Sequence, residues 1–289
     1  MKRKNLLLVL CVSSFCLILF GCAKEAENIV TSSDGVKISF DVVGEGKPAL
    51  VLIHGWSNNR SIWDVQVSHF SEKYKVVNID LPGFGESGNN RQNWTMEAFG
   101  EDVVAVIQKL ELDQVVLVGF SMGGPVVVET ANRVPDLTAG IVLVDVMQDP
   151  EAVFPQPLVS LMDSLMIDMV KNPTMEKMVR GRFLKQNPEQ SFERVRVMLD
   201  GASMIGWREC LLDFFRWNNE AKKQSLQKCQ VPVLAINSDM EPVNVEAFKK
   251  LVPSFETKIV ANTGHVIMWD ATEEFNRLLE ESIQQFISE

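Results

Sequence analysis

Residues 115–133 read VVLVGFSMGGPVVVETANR, with three features in immediate succession. The apolar run at the start predicts a buried strand, and the spacing from about residue 125 onward predicts a helix. Between them lies Ser121, with Gly119 and Gly123 two residues to either side. Larger side chains would collide in so tight a turn, and free N–H groups at the start of the following helix favour negative charge. The stretch therefore predicts that Ser121 is an exposed, reactive serine.

The rest of the chain alternates between predicted strands and predicted helices. Short apolar runs rich in Val and Ile are typical of strands buried on both faces of a parallel sheet, and helical spacing lies between several of them. Alternating residues from Ile29 to Gly46 predict an opening β-hairpin. The pattern predicts a doubly wound α/β fold with a mostly parallel central sheet and helices on both faces. The apolar runs are Ala49–Ile53, Val76–Ile79, Val115–Val118, Ile141–Val144 and Val233–Ile236.

One long segment, between Asp145 and Gln230, shows helical patterns and no convincing strand. It holds eight of the 13 methionines, a residue type that fits irregular apolar surfaces. An all-helical insertion after a strand predicts a cap over the carboxyl edge of the sheet, where open α/β sheets bind ligands. We therefore expect a core of residues 29–146 and 230–289, interrupted by a helical cap of residues 147–229.

Two further motifs lie where turns follow the early predicted strands. They are His54-Gly55-Trp56 and residues 80–87, which read DLPGFGES. Together with the G-x-S-x-G turn they resemble the α/β-hydrolase superfamily in its capped form, and the resemblance covers essentially everything after residue 29. It implies that Ser121 is the nucleophile and that the backbone N–H groups of Trp56 and Met122 form the oxyanion hole. It implies no metal ion and no organic cofactor.

The catalytic base is to be found among three histidines, His54, His69 and His265. His54 belongs to the motif that resembles the oxyanion loop. His69 lies in a helical stretch beside charged residues, which is typical of a surface or helix-packing residue. His265 follows a predicted strand and precedes the final helix, where the resemblance places the catalytic histidine. Because Ser121 needs a base to take its proton, we predict that His265 is that base.

The third member of the site is a carboxylate that orients the imidazole and stabilises its charged form. The superfamily usually places this acid just after the strand that follows the cap, often before a proline. Residues 237–243 read NSDMEPV, so alignment on the strand and the proline selects Glu241, with Asp239 two residues early. We predict Glu241, with Asp239 as the alternative. Asp145, after the preceding predicted strand, is a further candidate because triads are recognised by geometry rather than by spacing.

Composition and charge narrow the class of partner. The 289 residues are 46% hydrophobic and 23% charged, which is typical of a globular protein. The formal net charge is −10, and an acidic excess gives no electrostatic footprint for nucleic acid. We therefore expect no nucleic-acid partner, and the sequence does not indicate an oligomeric state. The resemblance to the α/β-hydrolase superfamily implies a small acyl substrate.

The N-terminus predicts export. Lys2-Arg3-Lys4 precede an apolar run from Leu6 to Phe20, and Gly21-Cys22 follow, an order typical of a signal peptide. The last of these residues resemble a bacterial lipobox, in which Cys22 is lipidated. An uncleaved transmembrane anchor is the alternative, but about 15 apolar residues fall short of the ~20 that a bilayer needs. We expect a signal peptide of residues 1–21, a tether of residues 22–28, and an exported lipoprotein anchored in the membrane, the outer membrane if the host is Gram-negative.

Cys210 and Cys229 are the cysteines that remain in the exported part after Cys22. A disulfide between them could persist in an oxidising compartment. Cys is commonly buried without pairing, however, which favours two free thiols.

The predicted function is a serine hydrolase that acts on ester or related acyl substrates through an acyl-enzyme on Ser121. Three alternatives stay open: a low-turnover ligand-binding or sensor protein on the same fold, a cofactor-free perhydrolase or haloperoxidase, and a carbon–carbon bond hydrolase. The presence of Ser121, His265 and candidate acids favours catalysis over sensing. The turn around Ser121 does not by itself distinguish ester hydrolysis, the perhydrolase or haloperoxidase reaction, and carbon–carbon bond hydrolysis.

Overall fold

The computed structural model describes residues 28–168 and 204–288. The predicted signal peptide, the tether up to residue 27 with Cys22, and residues 169–203 of the predicted cap lie outside these described residues. Within the described ranges, no helix is both long enough and apolar enough to span a bilayer.

Eight strands form one sheet in the order β1-β2-β4-β3-β5-β6-β7-β8. The β1–β2 and β2–β4 pairs are antiparallel, and every other neighbouring pair is parallel. The carboxyl ends of the parallel strands therefore meet at one edge, where ligands bind in sheets of this type. The strands are Ile29–Thr31 (β1), Lys37–Val43 (β2), Ala49–Ile53 (β3), Val76–Ile79 (β4), Val115–Phe120 (β5), Thr138–Val144 (β6), Val233–Ser238 (β7) and Glu256–Val260 (β8).

Helices cover both faces of this sheet, which confirms the predicted α/β architecture and its opening hairpin. The helices are Asp64–Phe70 (α1), Met96–Lys109 (α2), Gly123–Ala131 (α3), Gln156–Asp168 (α4), Met204–Arg216 (α5), Lys222–Lys228 (α6), Val245–Leu251 (α7), Ile267–Asp270 (α8) and Thr272–Ser288 (α9). Short 3-10 helices span Arg60–Trp63 and Pro135–Leu137, and a π-helix spans Trp217–Ala221.

Alternate residues of each buried strand face opposite layers of the core, because successive side chains of a strand point to opposite faces. In β5, Val115 and Leu117 belong to the apolar layer that includes residues of α2 and α3. Val116 and Val118 belong to the layer that includes residues of α1 and α9. Since both layers are apolar, the strand reads in sequence as an unbroken hydrophobic run.

The described part of residues 147–229 contains helices and no strand, as predicted, and its helices are α4, α5, the π-helix and α6. The helix α5 is attached to the N-terminus of α2. Asp213 Oδ2 accepts a hydrogen bond from the Met96 N–H at 2.7 Å, and Arg216 pairs with Glu97 at 2.6 Å. That the segment as a whole covers the carboxyl edge stays a prediction.

Cys210 and Cys229 are both free thiols, as the burial argument predicts. Burial raises the pKa of each thiol. Because the thiolate is the reactive form, neither cysteine is poised to act as a nucleophile at neutral pH.

Candidate active site

Ser121 stands in the turn between β5 and α3 with a strained backbone. Its φ of 52° lies in the left-handed region that residues with a Cβ rarely adopt. Its N–H donates to the carbonyl oxygen of Val144 at 3.0 Å, and its own carbonyl oxygen accepts from the N–H of Gly124 at 2.9 Å. Strain of this kind persists only where the surroundings impose it, and here β6 and α3 do so.

Two glycines make this turn sterically possible. A Cβ on Gly119 would overlap the carbonyl oxygen of Gly123, and a Cβ on Gly123 would lie 2.7 Å from the carbonyl oxygen of Ile53. Both obstacles are backbone atoms, so neither can move aside without displacing α3 or β3. The predicted need for glycine on either side of Ser121 is confirmed.

The loop after β3 lies directly against Ser121. A Cβ on Gly55 would lie 3.1 Å from the Cβ of Ser121 and 3.0 Å from the ring of Phe120. Trp56 follows Gly55, and Met122 follows Ser121. Among the described residues, none accepts a hydrogen bond from the backbone N–H of Trp56 or of Met122. Both predicted oxyanion donors are therefore available to an incoming acceptor.

His54 anchors this loop. Its side chain is fully buried, its Nε2 accepts from the N–H of Leu81 at 3.0 Å, and its Nδ1 therefore donates to the carbonyl oxygen of Gly55 at 2.7 Å. Burial lowers the pKa of His54, and the charge of Asp80 opposes this only in part. A neutral imidazole with both nitrogens engaged joins two neighbouring loops and is not free to act as a base.

The motif of residues 80–87 has a structural role. Asp80 accepts hydrogen bonds from the backbone N–H of Arg60 at 2.7 Å and of Glu86 at 2.9 Å, and from Nη1 of Arg60 at 2.8 Å. This buried carboxylate satisfies the N–H groups of two loops, so it holds the edge of the sheet beside the oxyanion loop.

His265 and Asp145 form a close pair beside Ser121. The Nδ1 of His265 lies 2.6 Å from Oδ2 of Asp145, and the imidazole packs against the ring of Phe120 with the centroids 4.8 Å apart. The Asp145 side chain is 1% exposed and that of His265 17% exposed. A carboxylate on Nδ1 sets the tautomer of the ring and leaves Nε2 as the nitrogen that accepts a proton.

Hydrogen bonds between backbone N–H groups and carboxylates hold both members of this pair. The other oxygen of Asp145 accepts from the N–H of Ser238, at the end of β7, at 2.7 Å. On the opposite side, the N–H of Gly264 donates to Oδ2 of Asp270 at 2.7 Å, which fixes the chain next to His265. The geometry of the pair therefore follows from the ends of β6, β7 and β8.

The structure corrects the sequence-based choice of Glu241 as the acid. The carboxylate on Nδ1 of His265 is that of Asp145. Glu241 has an exposed side chain, and Asp239, also exposed, accepts from the N–H of Asn262 at 3.0 Å. Since Nδ1 carries a single hydrogen, the orienting position is taken by Asp145.

The strand pairing explains how Asp145 instead of Glu241 comes to lie at Nδ1 of His265. β6 and β7 are parallel neighbours, with Val144 beside Ile236, so acids after either strand arrive at the same edge. A usable signal was present: Asp145 follows the last apolar residue of β6 directly, just as Ser121 follows β5.

His69 lies apart from this site. Its side chain is exposed on α1 and meets the ring of Phe70 edge-on, with the centroids 4.8 Å apart, as expected of a surface residue. In the part of the chain that the structure describes, no group of three or more His, Cys, Asp or Glu side chains could hold a metal ion.

Apolar side chains adjoin the turn at Ser121. The indole N–H of Trp56 donates to the carbonyl oxygen of Trp207 at 2.9 Å, and the two ring systems lie 5.4 Å apart. Met122 and Trp207 belong to the same buried cluster, together with Phe84. A molecule bound next to Ser121 would therefore meet an apolar surface formed partly by α5.

Comparison with known proteins gives consistent matches. A sequence model of the family described as alpha/beta hydrolase fold matches residues 48–272. The dihydrolipoyllysine-residue acetyltransferase component of the acetoin cleaving system of Pseudomonas putida is 24% identical over 82% of this chain, which spans only 64% of that protein. The 2-hydroxy-6-oxononadienedioate/2-hydroxy-6-oxononatrienedioate hydrolase of Burkholderia vietnamiensis is 26% identical over 89% of this chain and 94% of its own. An esterase structure from Exiguobacterium antarcticum superimposes with a TM-score of 0.79 at 22% identity, over 89% of this chain and 99% of that one.

Proposed function

Because the chain belongs to the α/β-hydrolase fold family, we propose that it is a serine hydrolase that cleaves ester bonds through an acyl-enzyme on Ser121. The observation that carries the proposal is the 2.6 Å contact between Nδ1 of His265 and Oδ2 of Asp145, beside a serine on a strained turn. A carboxylate that orients an imidazole next to a serine is the arrangement that activates serine as a nucleophile.

The reaction takes place in two halves. The Oγ of Ser121 attacks the ester carbonyl carbon while Nε2 of His265 takes the hydroxyl proton. The backbone N–H groups of Trp56 and Met122 stabilise the resulting oxyanion. The imidazolium, stabilised by Asp145, gives its proton to the leaving alkoxide as the C–O bond breaks. Water then loses a proton to His265 and attacks the acyl carbon. As the bond from the acyl carbon to Oγ of Ser121 breaks, His265 returns that proton to Oγ, which releases the carboxylic acid and regenerates Ser121.

Two observations support an ester as the bond that is cleaved. The Exiguobacterium structure, which shares the fold over nearly its whole length, is named an esterase. The surroundings of the turn, with Phe120, Met122 and the half-buried Trp56, are apolar and suit an uncharged acyl chain. The Burkholderia relative is named for hydrolysis of a different substrate, so the assay must separate these activities.

The test is turnover of p-nitrophenyl esters from acetate to dodecanoate, beside labelling with a fluorophosphonate. Ser121→Ala removes the nucleophile and should lower kcat at least about a thousandfold while the circular dichroism spectrum stays unchanged. The fluorophosphonate should label the wild type and spare the variant. Undiminished turnover by Ser121→Ala would refute the mechanism. Labelling of Ser121 without turnover of any ester would refute the choice of bond and retain the nucleophile.

For location, an exported lipoprotein with Cys22 as its lipidated residue remains our proposal. It is supported by the order of basic residues, apolar run and Gly21-Cys22 in the sequence. A short tether from Cys22 to β1 would keep the hydrolase close to the membrane surface.

A further inference from the structure

Trp207 carries a buried hydrogen-bond donor for which the described residues provide no acceptor. Its side chain is 2% exposed, and its Nε1 has no hydrogen-bond partner within the part of the chain that the structure describes. Indole N–H groups usually find an acceptor when buried, because an unpaired donor forfeits its hydrogen bond to water. An acceptor from outside the chain would remove this cost.

The position of Trp207 relates this donor to the proposed reaction. Its carbonyl oxygen accepts from Nε1 of Trp56 at 2.9 Å, and the two ring systems lie 5.4 Å apart. Trp56 in turn follows Gly55, which packs on Ser121. Trp207 therefore contacts the residue of the oxyanion loop whose backbone N–H is a proposed oxyanion donor.

The backbone at Trp207 is held in place by close packing. A Cβ on the neighbouring Gly206 would lie 2.7 Å from the ring of Trp94 and 3.3 Å from the Cα of Gly83. The Sγ of Cys210 also donates to the carbonyl oxygen of Trp207 at 3.3 Å. A rigidly held donor contributes specificity, because it costs little entropy to use and cannot turn away from a mismatched substrate.

A second indole N–H without a described partner, that of Trp63, lies in a different part of the core from Trp207. Nε1 of Trp63 also has no partner among the described residues, but Trp63 packs between Phe120 and Phe275 in the opposite apolar layer of the core. Trp207 alone of the two contacts the oxyanion loop and shares a cluster with Met122.

We propose that Nε1 of Trp207 is a specificity-determining donor that binds a second acceptor oxygen of the substrate, in addition to the scissile ester carbonyl. The inference rests on the proposed function. The preferred substrates are then esters that carry a further uncharged oxygen, such as an ether or ketone oxygen, in place of plain alkyl esters. A carboxylate is disfavoured there, because one neutral N–H in an aromatic environment does not compensate for burying a charge.

The test compares ester pairs in which one CH₂ is replaced by oxygen. On the acyl side these are p-nitrophenyl butyrate against methoxyacetate, and pentanoate against 3-methoxypropanoate. On the alcohol side they are butyl acetate against 2-methoxyethyl acetate. For each pair, the ratio of kcat/KM for the oxygen ester to that for the alkyl ester is measured with the wild type and with Trp207→Phe.

We expect Trp207→Phe to lower this ratio about tenfold in at least one pair, because an aromatic side chain is kept while the N–H donor is lost. Dividing one enzyme's ratio by the other's removes the difference in intrinsic reactivity between the esters. Both esters of a pair meet the same preparation, so a loss of folded protein cancels. A ratio that stays the same in every pair overturns the proposal.

Trp94→Phe is the matched control, since it removes the same volume from the same apolar cluster on the far side of Gly206. Its ratios should equal those of the wild type, and an equal change in both variants would assign the effect to packing and overturn the proposal. If the wild type cleaves none of the esters and the fluorophosphonate leaves Ser121 unlabelled, the proposed function itself has failed. An active wild type with unchanged ratios defeats only the role of Trp207.

Discussion

Ser121 and Asp145 have backbone φ angles in the left-handed region, 52° and 48° respectively. Each directly follows a buried strand, β5 or β6, and the sheet pairs Phe120 with Val144. The two strained turns therefore begin side by side at the carboxyl edge. Residues in such conformations cluster at sites where the surrounding structure holds them for a chemical purpose. The proposed nucleophile and the proposed acid therefore each occupy a strained turn directly after a parallel strand, and the two strands are neighbours.

Replacing Asp145 by Asn tests the assignment of the acid. The amide keeps the shape of the side chain but removes the charge that stabilises the imidazolium, and it can present the wrong group to Nδ1. We expect kcat for p-nitrophenyl butyrate to fall about 10³- to 10⁴-fold in Asp145→Asn.

Glu241→Gln and Asp239→Asn are the controls for this measurement, since both side chains are exposed. They should retain wild-type kcat. A greater loss in Glu241→Gln than in Asp145→Asn would contradict the geometry and return the acid role to the end of β7.

Among the elements, α3 is the one whose attachments bear most on the site. It begins directly after the turn at Ser121, and its buried Glu129 accepts hydrogen bonds from Ser225 Oγ at 2.5 Å and Trp217 Nε1 at 2.9 Å. Arg133 adds a third contact at 2.9 Å. Trp217 lies in the π-helix and Ser225 in α6, so one carboxylate joins the helix after the nucleophile to the end of the helical insertion.

Glu129→Gln should make this attachment weaker and less dependent on pH. Burial raises the pKa of Glu129, but the hydrogen bonds from Ser225, Trp217 and Arg133 outweigh it, so the folded-state pKa lies below the ordinary 4.5. When the pKa of a carboxyl is lower in the folded state than in the unfolded state, its ionisation stabilises the fold. This stabilisation is fully present at a pH above the unfolded-state pKa and is lost as the pH falls through the folded-state pKa. Urea unfolding at pH 7 should show Glu129→Gln destabilised by about 1–3 kcal/mol. The difference from the wild type should shrink in acid.

Glu101→Gln is the matched control, because Glu101 also pairs with Arg133, at 3.3 Å, but is 56% exposed. An exposed ion pair of this kind contributes roughly 0–1 kcal/mol. An equal loss in the two variants, or a loss in Glu129→Gln that does not change with pH, would contradict the role of the buried carboxylate.

On the scale of the whole molecule, the net charge bears on the proposed membrane attachment. The chain has 38 acidic and 28 basic residues and a net charge of −10. A surface of this sign is repelled weakly by anionic lipid, so the charge of the protein does not supply a reason to dock on a bacterial membrane. The proposed attachment would then depend on the N-terminal segment and on Cys22.

Mass spectrometry of the N-terminal peptide from bacterial membranes tests this attachment. We expect the wild type to begin at Cys22 with lipid on the residue, and Cys22→Ala to retain residues 1–21. A wild type that keeps residues 1–21 without modification would establish the transmembrane-anchor alternative. The chain beginning at Ala23 should not sediment with phosphatidylglycerol vesicles at low salt, because charge repulsion remains and the anchor is gone.

Much of this protein follows from local sequence. Runs such as Val115–Val118 predict strands because a strand buried on both faces must be apolar at every position. Ser121 was predicted from its flanking glycines, because steric exclusion within a five-residue turn is a local property. The choice of His265 among the three histidines depends also on the resemblance, which places the catalytic histidine before the last helix.

The tertiary structure alone decided which acid faces His265 and what lies beside the oxyanion loop. Asp145 and Glu241 follow adjacent parallel strands, and only the three-dimensional positions of β6, β7 and the strained turn after β6 decide that Asp145 reaches Nδ1. Trp56 and Trp207 are 151 positions apart and meet because α5 docks on the core. The local sequence determines which backbone conformations a segment can adopt. Contacts between distant segments depend on how the helices and strands pack together, and no local sequence pattern specifies that arrangement.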